Sequence, residues 1–432
     1  MYKYVDYLNT YGRIMQFNKN KQEPFHRWYP FVEGYSKEFI QSIIEEIGSV
    51  DLTCLEPFSG SGTTALELQN IGVKCISFEV NPLMYLIGKV KLENTYTIDD
   101  TKKWFEFIME NREKCKITEL QSEFSTLYEG EKKKKWNFDK VSGLAVKKLQ
   151  ITINTISSEK YKHLFTVALA SILLDASNLY RNGKCLSYKK DWENRPIDEK
   201  LVFNKFDDKI KHEIIKDIES FQINSELNTV SKINNIHFLY NEDCRNAINT
   251  KVDDNSIDLV ITSPPYLNSR DYTDTYMLEL KTLGFTKSAE EIRELRKKTL
   301  RSHVQIKWDD TATVDNKKLQ RTLDKLNKAS LNENVWNKSI IDMVRLYFVD
   351  MYQLFSELYL KMRNGGKIYF NVSNSAYFNV LIDTLELCAS IAEQIGFNVI
   401  EIRKARYLNT SPQQQKAVGK LLEGVLILER RD

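Results

Sequence analysis

Two short runs rich in β-branched and apolar residues, DLTCLEPF (51–58) and VKCISFEV (73–80), stand on either side of TALELQNIG, which has room for a helix ending at Gly72. Short apolar runs of this kind suit strands buried on both faces, and such strands belong to parallel sheets. A strand, a crossover helix and a second strand make a βαβ unit. The feature commits the chain to an α/β fold. A second set of strand-like runs comes much later: IHFLYNEDC (236–244), SIDLVITS (256–263), GKIYFNVS (366–373), FNVIEIRKA (397–405) and GVLILER (424–430). Helical stretches around 346–362 and 379–395 lie between members of this set. The two sets give about seven strands, enough for one doubly wound sheet.

The sheet accounts for only part of the 432 residues. Residues 1–90 carry an N-terminal segment and the first half of the core, 91–235 a largely helical insert, 236–267 further core strands, 268–345 a second, strongly charged helical insert, and 346–432 the rest of the core. In the first insert KYKHLFTVALASILLDASNLY (160–180) is the most apolar stretch; in the second, EEIRELRKKTLRSH and DNKKLQRTLDKLNKAS are charged helical patterns. Hydrophobic residues at 42% and charged residues at 28% describe an ordinary globular chain, and a net charge of +3 permits nucleic acid without requiring it. The beginning, MYKYVDYLNTYGRIMQFNKNK, is too polar for a signal peptide, and no apolar run approaches the roughly 18 residues that a membrane helix needs. A cytoplasmic protein without a membrane partner is expected. Six cysteines without any C-x-x-C spacing argue against a metal site and a disulfide framework.

Between the first strand and its helix stands EPFSGSGTT, residues 56–64. Gly60 and Gly62 permit a tight turn and close approach of backbone to a ligand, and Thr63 and Thr64 open a helix with exposed N–H groups. Such a turn cradles a polar ligand, although a flexible strand-to-helix turn uses the same glycines. No Gly-Lys-Ser/Thr comes after it, and the third glycine of the dinucleotide fingerprint is missing. Glu79 ends the second strand, where nucleoside-binding α/β domains place a carboxylate for ribose hydroxyls. Asp243 ends the next strand in NEDC, where its carboxylate or the Cys244 amide is suited to an adenine edge. Each acid is also open to the commoner role of strand-end charge or helix cap. Three such features at successive carboxyl ends of one sheet are harder to explain separately.

The apolar run SIDLVI stops at TSPPY (262–266). Proline has no N–H for a sheet and disfavours helix in the residue before it, so the pair ends the strand and holds the next residues stiffly. That place, the carboxyl end of a strand, is where open α/β sheets bind ligands. A proline-stiffened surface turn would satisfy the same tetrapeptide.

Taken together, these motifs resemble those of S-adenosylmethionine-dependent DNA amino-methyltransferases. EPFSGSGTT is similar to their cofactor-binding motif, usually Asp-Pro-Phe-x-Gly-Ser-Gly-Thr-Thr, with Glu56 in place of Asp. TSPPY is similar to their catalytic motif in the Ser-Pro-Pro-Tyr form most typical of N4-cytosine enzymes; N6-adenine enzymes more often begin with Asp or Asn. HRWYPFVEGYSKEF (26–39), which includes Tyr29, looks like a segment that in some relatives closes over the cofactor's methionine end. The resemblance covers 24–90 and 236–280, and 346–430 as a fold, and says little about 91–235. It implies a Rossmann-like methyltransferase sheet and S-adenosyl-L-methionine as cofactor. The implied cofactor-binding residues are Tyr29, Glu56, Pro57, Phe58, Ser59, Gly60, Gly62, Thr63, Glu79, Asp243 and Cys244. Ser263, Pro264, Pro265 and Tyr266 would be catalytic, double-stranded DNA the substrate, and a cognate restriction endonuclease a partner in a restriction-modification system.

The chemistry of the residues agrees. An exocyclic amine conjugated to a base ring is a poor nucleophile, and acceptors such as the Ser263 hydroxyl and the Pro264 carbonyl draw its lone pair out of the ring. Tyr266 is placed to stack on an extruded base. Methylation at cytosine carbon 5 needs a Cys nucleophile, usually in Pro-Cys, and no cysteine here comes after a proline. Adenine N6 and RNA amines remain alternatives, as does a non-catalytic binding module. Arg270 and Asp271 read as a DNA contact with its charge partner, or as a surface salt bridge. Arg293, Arg296, Lys297 and Arg301 read as a phosphate-binding cluster, or as a solvated helix face. YLNTSPQQQ (407–415) reads as a base-contacting or ordinary polar loop. The motif order, cofactor motif first, differs from that usual for this Gly-Ser-Gly-Thr-Thr form, so sequence recognition is expected from an insert, 91–235 ahead of 268–345.

Overall fold

The computed structural model describes residues 2–117, 119–131, 133–183, 185–226, 237–268, 271–332, 337–410 and 416–432. Eight strands form one sheet: β1 (Tyr4–Asp6), β2 (Thr53–Glu56), β3 (Lys74–Phe78), β4 (His237–Tyr240), β5 (Ile257–Thr262), β6 (Met362–Ser373), β7 (Phe397–Leu408) and β8 (Leu421–Arg430). Their spatial order is β1-β7-β8-β6-β5-β2-β3-β4. Every neighbouring pair is parallel except the two made by β8. This is a doubly wound, Rossmann-like α/β sheet. All seven expected strands form; the eighth, β1, has no counterpart in the sequence pattern. Its three residues carry no pattern of their own, and β7 supplies the pairing, Tyr4 opposite Ile402.

Side chains alternate across the strands as the pleat requires. Val260 of β5 and Ile368, Phe370 and Val372 of β6 join a core with the helices Cys244–Lys251, Ser339–Lys361 and Thr384–Ile395. Leu259, Ile261 and Tyr369 join a second core with the helices Lys37–Ile47 and Thr63–Asn70. Both faces are therefore covered, which is why the runs read as apolar throughout.

The segment 91–235 is mostly helical: Ile98–Asn111, Lys140–Asn154, Glu159–Ile172, and Glu199–Lys209 continuing through a π turn into Ile215–Glu226. It also holds a small hairpin, Leu179–Asn182 with Cys185–Tyr188, whose strands are too short to show a pattern. Its apolar core runs without a break into Trp28, Tyr29 and Phe31, into Leu83 and Val90 of the helix Pro82–Leu92, and into Tyr276, Leu278 and Leu295. A buried carboxylate fastens this union. Asp217 accepts from the Phe25 amide (2.9 Å), Arg27 Nε (3.1 Å) and Trp28 Nε1 (2.8 Å), and pairs with Arg27 Nη2 as well. Removing one partner of a buried ion pair typically costs about 3–5 kcal/mol, because the other charge stays uncompensated. Asp217→Ala should therefore lower the urea midpoint by that order of stability, read by the fluorescence of a chain in which Trp28 is fully buried; an unchanged midpoint would show that Asp217 holds nothing together.

Candidate active site

The strand order reverses at β2, which pairs with β3 on one side and β5 on the other. Such a switch point leaves a crevice outside the carboxyl ends of the strands. A pocket of about 440 Å³ lies there, and its walls come from every strand end in the neighbourhood. Pro57, Phe58 and Gly60 lie just past β2, Glu79 past β3, Asp243 and Cys244 past β4, and Ser263, Pro264, Pro265 and Tyr266 past β5. The N-terminal segment closes one side with Phe17 and Phe31, and Asp271, Tyr272 and Tyr276 close another.

The glycine loop is held from several directions. Gly60 has φ +52° and a Cβ there would meet Phe31 Cζ at 2.9 Å, while Gly62 has φ +79° and a Cβ there would meet the Gly88 Cα at 3.0 Å. Neither position tolerates a side chain. Phe31 in turn stacks on Tyr276, with centroids 6.0 Å apart and planes 7° from parallel. Behind the loop, the fully buried Lys91 donates to the Ser61 carbonyl at 3.0 Å, and burial lowers its ammonium to about 7. The hydroxyls of Ser59 and Ser61 are buried with no hydrogen-bond partner among the described residues. Of this loop, Pro57, Phe58 and Gly60 line the pocket, while Ser59, Ser61 and Gly62 are packed behind them.

Glu79 faces this loop. Its carboxylate accepts from the Gly60 amide at 2.8 Å and the Asn81 amide at 2.7 Å. Burial pushes its carboxyl up to about 7, against the pull of those two amides. Asp243 caps the helix Cys244–Lys251 and is gripped by Arg245, with Nη2 at 2.6 Å.

Several expected site residues stand behind the wall rather than on it. Four donors converge on Glu56: Tyr35 OH at 2.8 Å and Thr64 Oγ1 at 2.7 Å on one oxygen, and the Phe58 amide at 3.1 Å and Thr262 Oγ1 on the other. Burial pushes Glu56 up to about 8, with those hydroxyls pulling it down. Tyr29 is buried, donating to Glu279 Oε1 at 2.8 Å and accepting from Arg181 at 2.9 Å. Ser59 and Thr63 are buried in the turn and the first residue of its helix. Of the residues read as DNA contacts, Arg270 lies outside the described residues, as do 411–415 of the polar loop. Asp271 is buried and holds Arg296 at 2.6 Å, and Arg301 is bound to Asp350 at 2.7 Å and to Asp310.

The structure adds residues that sequence reasoning passed over. Asn371 near the end of β6 and Glu423 near the start of β8 line the pocket beside Ser263 and Tyr266. Asn371 Nδ2 donates to Tyr266 OH at 2.8 Å, Tyr266 OH donates to Glu423 Oε1 at 3.0 Å, and Arg406 Nε donates to Glu423 Oε2 at 2.6 Å. A signal was present in the polar Asn inside YFNVS and the Glu opening EGVLILER, both at buried strand ends. Burial, with Glu423 close by, pushes the Tyr266 phenol well above its ordinary range.

No protein-family description matches the chain. Individual relatives do. The chain is similar to the Type II methyltransferase M.BsoBI of Geobacillus stearothermophilus, 29% identical over 95% of this chain and 87% of that protein. It is similar to the Type II methyltransferase M.AvaI of a Nostoc strain and of Anabaena variabilis, 27% identical over 90% of this chain and 82% of theirs. A shorter likeness, 27% over 20% of this chain and 16% of the relative, is to the Type II methyltransferase M.MjaII of Methanocaldococcus jannaschii. The likeness to methyltransferases thus spans nearly the whole chain, inserts included. Among the described residues no helix is long and apolar enough to cross a membrane, and no cluster of three metal-ligating side chains is present.

The raised carboxyl of Glu79 gives the site a measurable pH dependence. A carboxyl that ionises near 7 accepts hydroxyl donors best above that pH. Affinity for S-adenosylmethionine, the cofactor that the motif resemblance implies, should therefore fall as pH drops from about 8 to 6, as Glu79 takes up its proton. Glu79→Gln should bind about 1–3 kcal/mol more weakly and lose that dependence, and Gly60→Val should bind weakly at every pH. Calorimetry showing equal affinities in folded variants would remove both residues from the site.

Proposed function

We propose that the chain is a site-specific DNA amino-methyltransferase that transfers a methyl group from S-adenosylmethionine to cytosine N4 in double-stranded DNA. The observation that carries the reading is the meeting of the glycine loop and Ser263-Pro264-Pro265-Tyr266 in one crevice. Methyltransferase relatives along nearly the whole chain support it.

The cofactor's nucleoside would lie along Gly60, with Glu79 accepting from the ribose and the Asp243–Cys244 turn at the adenine. When bound, its sulfonium supplies an activated methyl group, so the protein's task is largely one of orientation. The prolines fix the Ser263 hydroxyl and the Pro264 carbonyl at the end of β5 before the base arrives, which keeps reorganisation small. Tyr266 lines the crevice, where its ring would stack on a flipped base while its hydroxyl is anchored by Asn371 and Glu423. Ser263, short and neutral, offers one oxygen to the amine where Asp would bring a charge and a second oxygen. That favours cytosine over adenine. The helical segment 91–235 would read the target sequence, and the Type II naming of the relatives supports a modification role beside a restriction endonuclease.

Protein incubated with labelled S-adenosylmethionine and duplex DNA should yield N4-methylcytosine after digestion to nucleosides. N6-methyladenine instead would overturn the base assignment and leave the amine chemistry standing. Ser263→Ala should lower kcat by about 100-fold while leaving cofactor affinity nearly unchanged, the loss typical of one preorganised polar group; full turnover in that variant would sink the mechanism.

A further inference from the structure

We propose that Glu423 receives the proton that the target amine gives up, through a hydrogen-bond chain running from Ser263 to Tyr266 to Glu423. The inference rests on the amino-methyltransferase reading above and assigns that reaction a proton path.

Ser263 Oγ donates to Tyr266 OH at 3.4 Å, and Tyr266 OH donates to Glu423 Oε1 at 3.0 Å. The direction of the chain is fixed by Asn371. Its Nδ2 donates to Tyr266 OH at 2.8 Å and lies 3.4 Å from Ser263 Oγ, so the phenol's own proton is left to point at the carboxylate. Glu423 and Asn371 are 1% and 2% exposed, which places the terminus of the chain away from bulk water. The charged group facing Glu423 is Arg406, its cross-strand partner on β7, bound to the other carboxylate oxygen. That ion pair holds Glu423 in place, with Oε1 turned toward the phenol.

An amine that takes a methyl group while keeping both protons becomes a cation in a pocket with little water. Such a cation, having lost conjugation with the ring, is a strong acid, so even a carboxylate paired with arginine is basic enough to accept from it. As the N–C bond forms and the donor's S–C bond breaks, one amine N–H proton passes to Ser263 Oγ. The Ser263 proton passes to Tyr266 and the Tyr266 proton to Glu423 Oε1. The neutral thioether, the neutral methylated base and a protonated Glu423 remain, and the positive charge lost at sulfur reappears as the proton. The 3.4 Å link, long for neutral O–H donors, shortens as charge develops on it.

Single-turnover methylation of duplex DNA by the whole chain tests this in ordinary and heavy water. Tyr266→Phe keeps the ring and cuts the chain; Glu423→Gln keeps an acceptor for the phenol and removes the base. Each should slow the single-turnover step by about 100-fold while KM for DNA and affinity for S-adenosylmethionine change little. The wild-type step should be slowed in heavy water, and both variants should lose that isotope effect. Wild-type rates in the two variants would overturn the relay alone. A slower step that retains the isotope effect would show that Glu423 only anchors Tyr266, and would overturn it too. A wild-type chain that methylates no DNA amine would overturn the underlying reading and the relay with it.

Discussion

The hydroxyl of Thr262 bonded to the carboxylate of Glu56 is the contact on which the site's geometry depends. Glu56 is the last residue of β2 and the first of the glycine-loop motif, while Thr262 ends β5 and opens TSPPY. One buried carboxylate thus joins the glycine loop to the Ser-Pro-Pro-Tyr turn, on neighbouring strands. The same carboxylate takes the Phe58 amide at the start of the loop and Thr64 at the start of the helix after it. With four donors to satisfy, it has little freedom to move, and the two motifs inherit that rigidity. The transfer proposed above asks for two reacting groups held at a fixed separation, and a shared anchor behind both motifs is a direct way to supply it.

Around this anchor, three segments far apart in sequence are tied into one wall. Arg181 of the small hairpin bonds to the Pro30 carbonyl, to Tyr29 and to Glu279, and Asp217 bonds to Phe25, Arg27 and Trp28. The residues before β2, the helical segment and the stretch after TSPPY are therefore tied by two buried networks. Phe31, between Gly60 and Tyr276, is where the first of these reaches the pocket. The helix Pro82–Leu92 gives a second link, through Gly88 against Gly62 and Lys91 on the Ser61 carbonyl.

The sheet was legible because strands buried on both faces need unbroken apolar runs, and seven of them stood between turn signals. β1 was not, since three residues carry no periodicity and the pairing energy comes from β7. The strand-end loops were legible for a related reason: glycine and proline restrict the backbone in ways the sequence announces directly. Asn371 and Glu423 were not, because each is a single polar residue in an apolar strand and its meaning depends on which strand lies beside it. β8 enters antiparallel between β6 and β7, and only that arrangement brings Glu423 to the end where Ser263 lies. Glu56 shows the converse: its position in the motif was plain, but the direction of its side chain, into protein, was decided by Thr262, more than two hundred residues later.

The placement of β8 carries a consequence for the chain as it is made. This strand is the latest of the eight in chain order, yet it fills the gap between β6 and β7 rather than adding to an edge. Until it emerges, β6 has an unpaired edge, β7 has no neighbour on that side, and Tyr266 lacks the carboxylate that anchors it. A nascent chain carrying both motifs would still hold an unfinished pocket until the sheet can close.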